Sequence, residues 1–346
     1  GELDALHSQV RGGDFAKDPD MPKAAELGAR LSQVKDGVKV SHIYRTDPEL
    51  PMQASPLARP GVDVRDGDII THINGRKLAT LAQLTSMLRN QADKQVLLGL
   101  KRGSKQHKVI VQAISNRDNA KLRYLDWVNA NADKVAKASD GKIGYLHLYA
   151  MGSDDIESFA REFYANYDKD GLVIDVRRNR GGNIDSWIIE KLLRKAWAFW
   201  QPTTGAPYVN MQQTFRGHLV VLTDQLTYSD GETFSAGIKA LGLAPLVGKQ
   251  TAGAGVWLSG RNSLTDRGMA RVAEYPQYAI DGRWVLEGRG VSPDIEVDNL
   301  PLATFKGKDA QLERAISYLK DELVREPIPA LNARPMPPKG EADDIK

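Results

Sequence analysis

Between residue 142 and about residue 250, short apolar runs alternate with amphipathic helical stretches, and this alternation leaves few folds open to the chain. The apolar runs are GKIGYLHL, GLVIDVR, HLVVLTD and APLVGKQT. The helical stretches are DDIESFAREFYANY, SWIIEKLLRKAW and GETFSAGIKALG. Strands that alternate with helices form a mostly parallel sheet whose faces the helices cover. We therefore predict an α/β core built on such a sheet.

The regions outside this core have other patterns and predict a multidomain α/β protein. Residues 27–116 contain short alternating runs such as GDIITHING and HKVIVQAI around one helical stretch, which predicts a small β-rich domain. Residues 1–26 are polar and predict a short helical segment that ends in the turn cluster RGGDFAKDPDMP. The core is predicted over 117–305 and a last helix over 306–326. Residues 327–346 are rich in proline and charge and predict a flexible tail.

Composition excludes several classes of protein. The 47 basic and 44 acidic residues give a net charge of +3 without a basic block, which argues against a nucleic-acid partner. The chain has no cysteine, which removes disulfides and thiolate metal sites. No apolar run is long enough to span a bilayer. Because the chain starts with neither Met nor a targeting segment, we expect a fragment or processed form, cytoplasmic or alternatively periplasmic.

Ser229 lies where an apolar strand ends and a helix begins, in the stretch HLVVLTDQLTYSDGETF. In sheets of this type, ligands and chemistry collect at the carboxyl ends of the strands. A serine on such a turn has an exposed hydroxyl, and the helix amides behind it can face an oxyanion. The alternative is a structural N-cap, in which Glu232 completes a capping box. Local sequence alone favours the N-cap.

Longer motifs resemble known proteases. SPLARPGVDVRDGDIITHINGRKL resembles the PDZ domains that accompany proteases. GLVIDVRRNRGGNI, YSDGETFSAGIKALG, VGKQTAGAG and GRGVSPDIEV resemble, in order and spacing, the core of the tail-specific protease superfamily. The resemblance implies a ClpP/crotonase-like core and a serine peptidase with Ser229 as nucleophile. It also implies an oxyanion site made of the Asp230 amide and an amide of Gly181 or Gly182.

The identity of the general base separates two branches of this superfamily. Many members use a lysine in a segment of the form T-x-G-K-G, but here the segment is TAGAG and Ala254 cannot accept a proton. GELDALHSQVRGGD resembles the segment upstream of the PDZ domain in which the tricorn branch carries a histidine. The resemblance implies that His7 is the base and that Glu287 orients it. Leu6 stands where that branch has a linking serine, so we expect Ser8, another hydroxyl, a water or a direct carboxylate contact to make the link.

Two alternatives to this assignment stay open. The assignment itself is a tricorn-type peptidase that acts on peptides or unfolded polypeptides. The first alternative is a non-catalytic PDZ scaffold with a vestigial protease core. The second alternative, ranked third after these, is a Ser-Lys protease that uses Lys249. We further expect a homo-oligomer. We expect no cofactor and no catalytic metal, because cysteine is absent and no two histidines have helical i, i+4 spacing.

Overall fold

The computed structural model describes residues 6–13, 21–336 and 338. The chain divides into two compact units. One unit contains the described residues of Gly1–Phe15 and Lys134–Lys346, and the other contains those of Ala16–Asp133. Within the described ranges, no helix is long and apolar enough to cross a bilayer.

The strands and helices of the described residues are numbered in chain order. The strands are β1 (Gln9–Gly12), β2 (Ala25–Glu26), β3 (Ala29–Val34), β4 (Gly37–Ile43), β5 (Ile69–Ile73), β6 (Arg76–Lys77), β7 (Gln95–Arg102), β8 (Lys105–Gln112), β9 (Ile114–Ser115), β10 (Ile143–His147), β11 (Gly171–Asp175), β12 (Phe199–Trp200), β13 (Tyr208–Val209), β14 (His218–Thr223), β15 (Leu246–Gly248), β16 (Trp257–Ser263), β17 (Gly268–Tyr275) and β18 (Ile295–Glu296). The α-helices are α1 (Leu81–Met87), α2 (Asn116–Ala138), α3 (Ser153–Tyr164), α4 (Asp185–Leu193), α5 (Asp230–Ala240), α6 (Pro301–Phe305) and α7 (Ala310–Arg325).

A five-stranded parallel sheet forms the centre of the first unit, in the order β10-β11-β14-β15-β18. Every residue of β10, β11 and β15 is buried, which explains why these strands read as continuous apolar runs. Helix α3 packs on β10, α7 packs on β11, β14 and β15, and α4 packs against α5. The predicted α/β core with a parallel sheet is confirmed.

The parallel sheet brings two loops to one edge. β11 ends at Asp175, and the loop that follows leads to α4. β14 ends at Thr223, and a short turn leads through Ser229 into α5. Because neighbouring parallel strands end on the same side, these two loops meet, and this edge is where ligands bind in such sheets.

The described part of residues 1–26 contains no helix, so the predicted helical segment is wrong there. Gln9–Gly12 is a strand that pairs antiparallel with β17, from Gln9 opposite Arg271 to Gly12 opposite Gly268. β17 also pairs with β16, which gives a three-stranded sheet. Pairing with a segment about 260 positions away overrides the local pattern, as it often does for short polar stretches. Residues 1–5 and 14–20, also covered by the helix prediction, lie outside the described residues.

The second unit is β-rich, as predicted. Its sheet has the order β3-β4-β5-β7-β8, with β6 paired to β5, and β3 lies at one edge. Its core is formed by buried aliphatic side chains from the strands and α1, including Val38, Ile70, Leu84 and Leu98.

The described residues that follow α7 have no regular secondary structure, but two of their carbonyls are bound. The His218 ring and the Glu326 carbonyl are 2.7 Å apart, and the Arg216 guanidinium donates to the Pro329 carbonyl at 2.8 Å. The bond to Pro329 ties the first part of the predicted flexible tail to the residues just before β14, and the bond to Glu326 holds the end of the predicted last helix at the start of β14. Residues 337 and 339–346 of that prediction lie outside the described part of the chain.

Candidate active site

Ser229 occupies a strained turn. Its φ is 57° and its ψ is −122°, a region that costs a non-glycine residue roughly 1–3 kcal/mol. Its hydroxyl caps no amide of α5, so the simple N-cap interpretation does not describe it. The residue is only 6% exposed, less than predicted for a serine on an open turn. Strain of this kind persists where the surrounding structure imposes it, and it is common at nucleophiles on strand-to-helix turns.

Glu232 holds this turn in place. Its carboxylate is fully buried and accepts from the Ser229 backbone N–H at 3.2 Å. It also accepts from the Thr251 hydroxyl at 2.6 Å and from the amides of Gly253 and Ala254 at 2.6 and 2.8 Å. The sequence identified Glu232 only as a capping-box partner. Its larger role is to join the serine turn to the TAGAG segment, where the fully buried Ala254 stands in place of a lysine.

The glycine loop after β11 lies directly against the serine. Gly181 has φ +78°, and a methyl group added there would lie 2.7 Å from Ser229 Oγ and 3.1 Å from the Asp230 nitrogen. Its own amide donates to Asn179 Oδ1 at 2.8 Å. Gly182 is equally restricted, since a methyl group there would overlap the Met151 backbone. Glycine is required at both positions because the backbone approaches its neighbours too closely for a side chain.

Asn179 connects the glycine loop to the serine turn, a role that the sequence reasoning missed. Its side chain is buried, accepts from the Gly181 amide and donates to the Leu148 carbonyl at 2.7 Å. Its backbone carbonyl accepts from the amide of Tyr228, the residue before the serine, at 3.0 Å. An asparagine directly before Arg-Gly-Gly was the available clue, because its amide side chain readily bonds nearby backbone in turns.

His7 lies against Tyr228, the residue before Ser229. Its ring is 8% exposed and packs edge-on against the ring of Tyr228, with centroids 4.8 Å apart. Its Nδ1 lies 2.8 Å from the Val256 carbonyl oxygen. Because a carbonyl can only accept, Nδ1 carries the hydrogen and Nε2 of the neutral ring keeps a free lone pair. This is the tautomer that a general base requires.

Glu287 reaches the histidine segment through backbone rather than through a side-chain relay. One carboxylate oxygen accepts from the Leu6 amide at 3.0 Å. The other accepts from the amides of Gly255 and Val256 at 3.1 and 3.0 Å. The same carboxylate therefore fixes the residue before His7 and the residue whose carbonyl binds Nδ1.

Ser8, expected as one possible link, is used elsewhere. Its hydroxyl accepts from the Ala273 amide of β17 at 3.2 Å and thereby fastens the start of β1. The side chain of Leu6 is 59% exposed and takes no part in the link. The backbone carbonyl of Val256 contacts His7 Nδ1, in the place where a linking hydroxyl was expected.

Burial and carboxylates shift the pKa of Tyr228, and a carboxylate shifts that of Lys249, the alternative base. Burial, followed by the carboxylates of Glu232 and Glu287, raises the pKa of the Tyr228 hydroxyl, so this side chain is neutral where it packs against the His7 ring. Lys249 Nζ lies 2.7 Å from Glu296 Oε1, and that carboxylate raises the lysine pKa. A lysine base needs the opposite shift.

Of the remaining histidines, His147 is buried with its pKa lowered by burial, and its Nε2 lies 3.0 Å from the Arg177 carbonyl oxygen. In the ranges that the structure describes, no group of three or more His, Asp or Glu side chains is arranged to hold a metal ion.

Comparison with protein families identifies both units. Residues 142–297 match the model of peptidase family S41. Residues 25–116 match the model of the tricorn protease PDZ domain. The first match includes Ser229, Glu232 and Glu287, and it begins after His7.

Individual relatives agree with these matches. The chain is 32% identical over 333 residues to tricorn protease homolog 1 of Streptomyces coelicolor, covering 94% of this chain and 31% of the relative. It is 30% identical to the tricorn protease of Thermoplasma acidophilum, over 93% of this chain and 30% of the relative. It is 32% identical to a putative tricorn-like protease C-terminal subunit of Sulfurisphaera tokodaii, over 93% of this chain and 37% of the relative.

A solved structure extends the likeness to three dimensions. The crystal structure of the tricorn protease matches with a TM-score of 0.87 and 30% identity, covering 92% of this chain and 31% of that one. The chain thus spans about a third of the length of the relatives it matches. The chain thus combines the PDZ domain of tricorn proteases, over residues 25–116, with a domain of peptidase family S41, over residues 142–297, and it is similar to tricorn proteases over more than nine-tenths of its own length.

Proposed function

We propose that the chain is a serine peptidase of the tricorn type, which hydrolyses peptides or unfolded polypeptides through an acyl-enzyme on Ser229. The observation that carries this proposal is the pairing of a strained, uncapped serine with a neighbouring histidine whose Nδ1–H is bound to a carbonyl. A structural serine needs neither the strain nor the oriented imidazole.

In the proposed mechanism, His7 Nε2 takes the proton from Ser229 Oγ while that oxygen attacks the carbonyl carbon of a peptide bond. The imidazolium then gives its proton to the leaving amine nitrogen, which departs and leaves an ester on Ser229. Water attacks the ester, again with His7 as base, and frees the serine. The Glu287 carboxylate stabilises the imidazolium and keeps Leu6 and Val256 in position around the ring.

The oxyanion donors in this mechanism are the amides of Gly182 and Asp230. The Gly181 amide is already bound to Asn179, which favours Gly182 over Gly181 of the two glycines that the sequence implied. Gly181 instead leaves space for Ser229 Oγ. One donor aimed at the tetrahedral intermediate contributes roughly 3 kcal/mol to transition-state stabilisation.

The two alternatives have less support. The scaffold hypothesis drew on Leu6, but the Val256 carbonyl supplies the orientation that the missing hydroxyl would have given. The Ser-Lys hypothesis requires Lys249, which is paired with Glu296. The PDZ domain keeps a role in the peptidase proposal, since its edge strand β3 is suited to bind a peptide end by strand addition.

We also propose that the protein forms a homo-oligomer in the cytoplasm, with the periplasm as the alternative. Large aromatic side chains are exposed around the β12–β13 hairpin, and such clusters mark interaction surfaces. They are Trp197, Trp200 and Tyr208. The absence of cysteine means that the fold needs no oxidising compartment. Sedimentation of the purified chain and cell fractionation test these two points.

The test of the function is Ser229→Ala combined with covalent labelling. We expect the variant to lose peptide hydrolysis and keep its melting temperature, because the serine hydroxyl makes no capping bond. A peptide chloromethyl ketone should attach to both Ser229 and His7 in the wild type and to neither in His7→Ala. Full hydrolysis by Ser229→Ala, in a preparation free of contaminating protease, would reject the serine mechanism. Peptide binding without labelling would favour the scaffold.

A further inference from the structure

The side chain of Asp230 lies at the junction of both proposed oxyanion donors. Its Oδ2 accepts from the amides of Ile184 and Asp185 at 2.8 and 3.2 Å, so it fixes the end of the loop that carries Gly181 and Gly182. Its own amide is the second proposed donor. Asp230 therefore connects the glycine loop to the first turn of α5 through a single side chain.

The other oxygen of this carboxyl is unusual. Asp230 is fully buried, and no donor among the described residues reaches its Oδ1. The carboxyl of Asp185, the first residue of α4, is also buried and lies within hydrogen-bond range of the Asp230 side chain. A buried polar oxygen without a partner is costly, and two facing carboxylates are more costly still.

The charged groups on the surrounding elements are engaged elsewhere. On α5, Glu232 binds the 251–254 segment and Lys239 pairs with Asp294. The remaining groups and their partners are Arg177 with Asp175 and Asp309, Arg178 with Asp224, Arg180 over the Tyr149 ring, Lys191 over the rings of Phe163 and Tyr164, Glu190 with Arg194, and His7 with the Val256 carbonyl. No cation among them neutralises the pair. Burial and the neighbouring Asp185 raise the pKa of Asp230 to about 7.

We propose that Asp185 and Asp230 share one proton, and that this protonated pair is a positioning device that holds the glycine loop against the first turn of α5 and so shapes the oxyanion site. The shared proton supplies the missing partner of Asp230 Oδ1 and removes one of two buried like charges. Loss of the proton leaves two facing carboxylates, whose repulsion separates the loop from α5. This role rests on the proposed function, whereas the shared proton itself does not.

Stability and activity follow the same titration in predictable directions. The pKa of Asp230 in the folded protein, about 7, lies above its ordinary value of 3.8. The folded state therefore holds the proton more tightly than the unfolded chain does. The stability contributed by the proton is complete below about pH 4, decreases as the pH rises, and is gone above about pH 7.

The activity test compares Asp185→Asn with the wild type across pH. The asparagine amide can donate to the Asp230 carboxylate at every pH and so mimics the protonated pair. The ratio of the variant's kcat to that of the wild type, in which the titration of His7 cancels, should rise with pH around a midpoint near 7. The rise should not exceed roughly 10²- to 10³-fold, the effect of one lost oxyanion donor.

Asp155→Asn is the matched control. Asp155 also binds an amide at a helix start, that of Gly152 at 2.9 Å, but no carboxyl is among its hydrogen-bond partners in the described chain. Its ratio to the wild type should stay flat with pH. A flat ratio for Asp185→Asn as well would overturn the positioning role.

Carbon-13 NMR of aspartate carboxyls tests the shared proton without any activity. The Asp230 signal, assigned by its loss in Asp230→Asn, should titrate near pH 7 in the wild type and at least one pH unit lower in Asp185→Asn. Suppose that Ser229→Ala abolishes hydrolysis but that Asp230 titrates near its ordinary pKa of 3.8. That result would overturn the shared proton and leave the proposed function intact. Hydrolysis that survives Ser229→Ala would reject the proposed function, whatever the Asp230 midpoint.

Discussion

The two sides of the candidate site are held by different means. On the nucleophile side, Ser229 sits between a buried parallel strand and α5, and the fully buried Glu232 binds four donors around it. On the base side, His7 belongs to a short segment attached by one strand pairing and by the partly exposed Glu287. The sheet thus determines where the nucleophile lies, while hydrogen bonds to backbone determine where the base lies.

This difference separates stability from activity. Loss of a contact on the nucleophile side removes support from the core of the fold. Loss of a contact on the base side frees a surface segment and leaves the parallel sheet intact. Substitutions on the two sides should therefore differ in how far they change the free energy of unfolding.

The largest expected effect comes from His7→Ala. Without a base, Ser229 cannot be deprotonated, and we expect acylation to fall by roughly 10⁴-fold or more. Lys249→Ala is the control, and it should change the rate by no more than about 0.5 kcal/mol in activation free energy, as for other surface substitutions. Single-turnover kinetics with a chromogenic peptide ester measure both. If Lys249→Ala were inactive and His7→Ala active, the general base would be Lys249 and not His7.

The pair Glu232→Ala and Glu287→Ala tests the comparison itself. Glu232→Ala leaves four buried donors without an acceptor, and at about 1 kcal/mol or more for each, unfolding free energy should fall by roughly 4 kcal/mol. Glu287→Ala frees amides that water can reach, so its cost should be about 1 kcal/mol. It should still slow acylation about ten- to hundredfold, because a less well oriented His7 should raise the activation free energy of acylation by about 1.4–2.7 kcal/mol.

Urea unfolding and burst kinetics on the same samples measure the two quantities. Equal losses of stability in the two variants would show that the base side is as much a part of the core as the nucleophile side. An unchanged burst in Glu287→Ala would remove that carboxylate from the site.

The smallest expected effect is that of Leu6→Ser. The Leu6 side chain is exposed, and the Val256 carbonyl already orients the His7 ring, so the new hydroxyl should alter acylation by no more than about 0.5 kcal/mol. Ser8→Ala should weaken the attachment of β1 through the lost bond to Ala273. A large acceleration in Leu6→Ser would show that the carbonyl is a poor substitute for a side-chain relay.

The position of Ser229 between a strand and a helix could be predicted from the sequence for a physical reason. Strands buried on both faces appear as apolar runs, and the end of such a run places Ser229 at the edge of the sheet where sites form. The role of Glu232 was only half visible, because its bond to the Ser229 amide is local while its bonds to residues 251–254 join distant segments.

The base side could not be predicted from local sequence patterns. Four residues, QVRG, contain too little pattern to reveal a strand whose partner lies in β17, and a helix was predicted instead. His7 was found only through resemblance to a family. The Val256 carbonyl could not be predicted at all, since every residue has one and only the fold decides which of them meets the ring.

The pairing of β1 with β17 also determines when the site can assemble during translation. Gln9 pairs with Arg271, so the base segment leaves the ribosome long before its partner exists. At about 5–20 residues per second, synthesis of the intervening chain takes on the order of tens of seconds. Until β17 has been synthesised, the growing chain contains both His7 and Ser229 but lacks the strand that pairs with β1 and positions His7. Under the proposed mechanism, the site therefore cannot be complete before β17 has been synthesised, so cleavage by Ser229 cannot begin earlier.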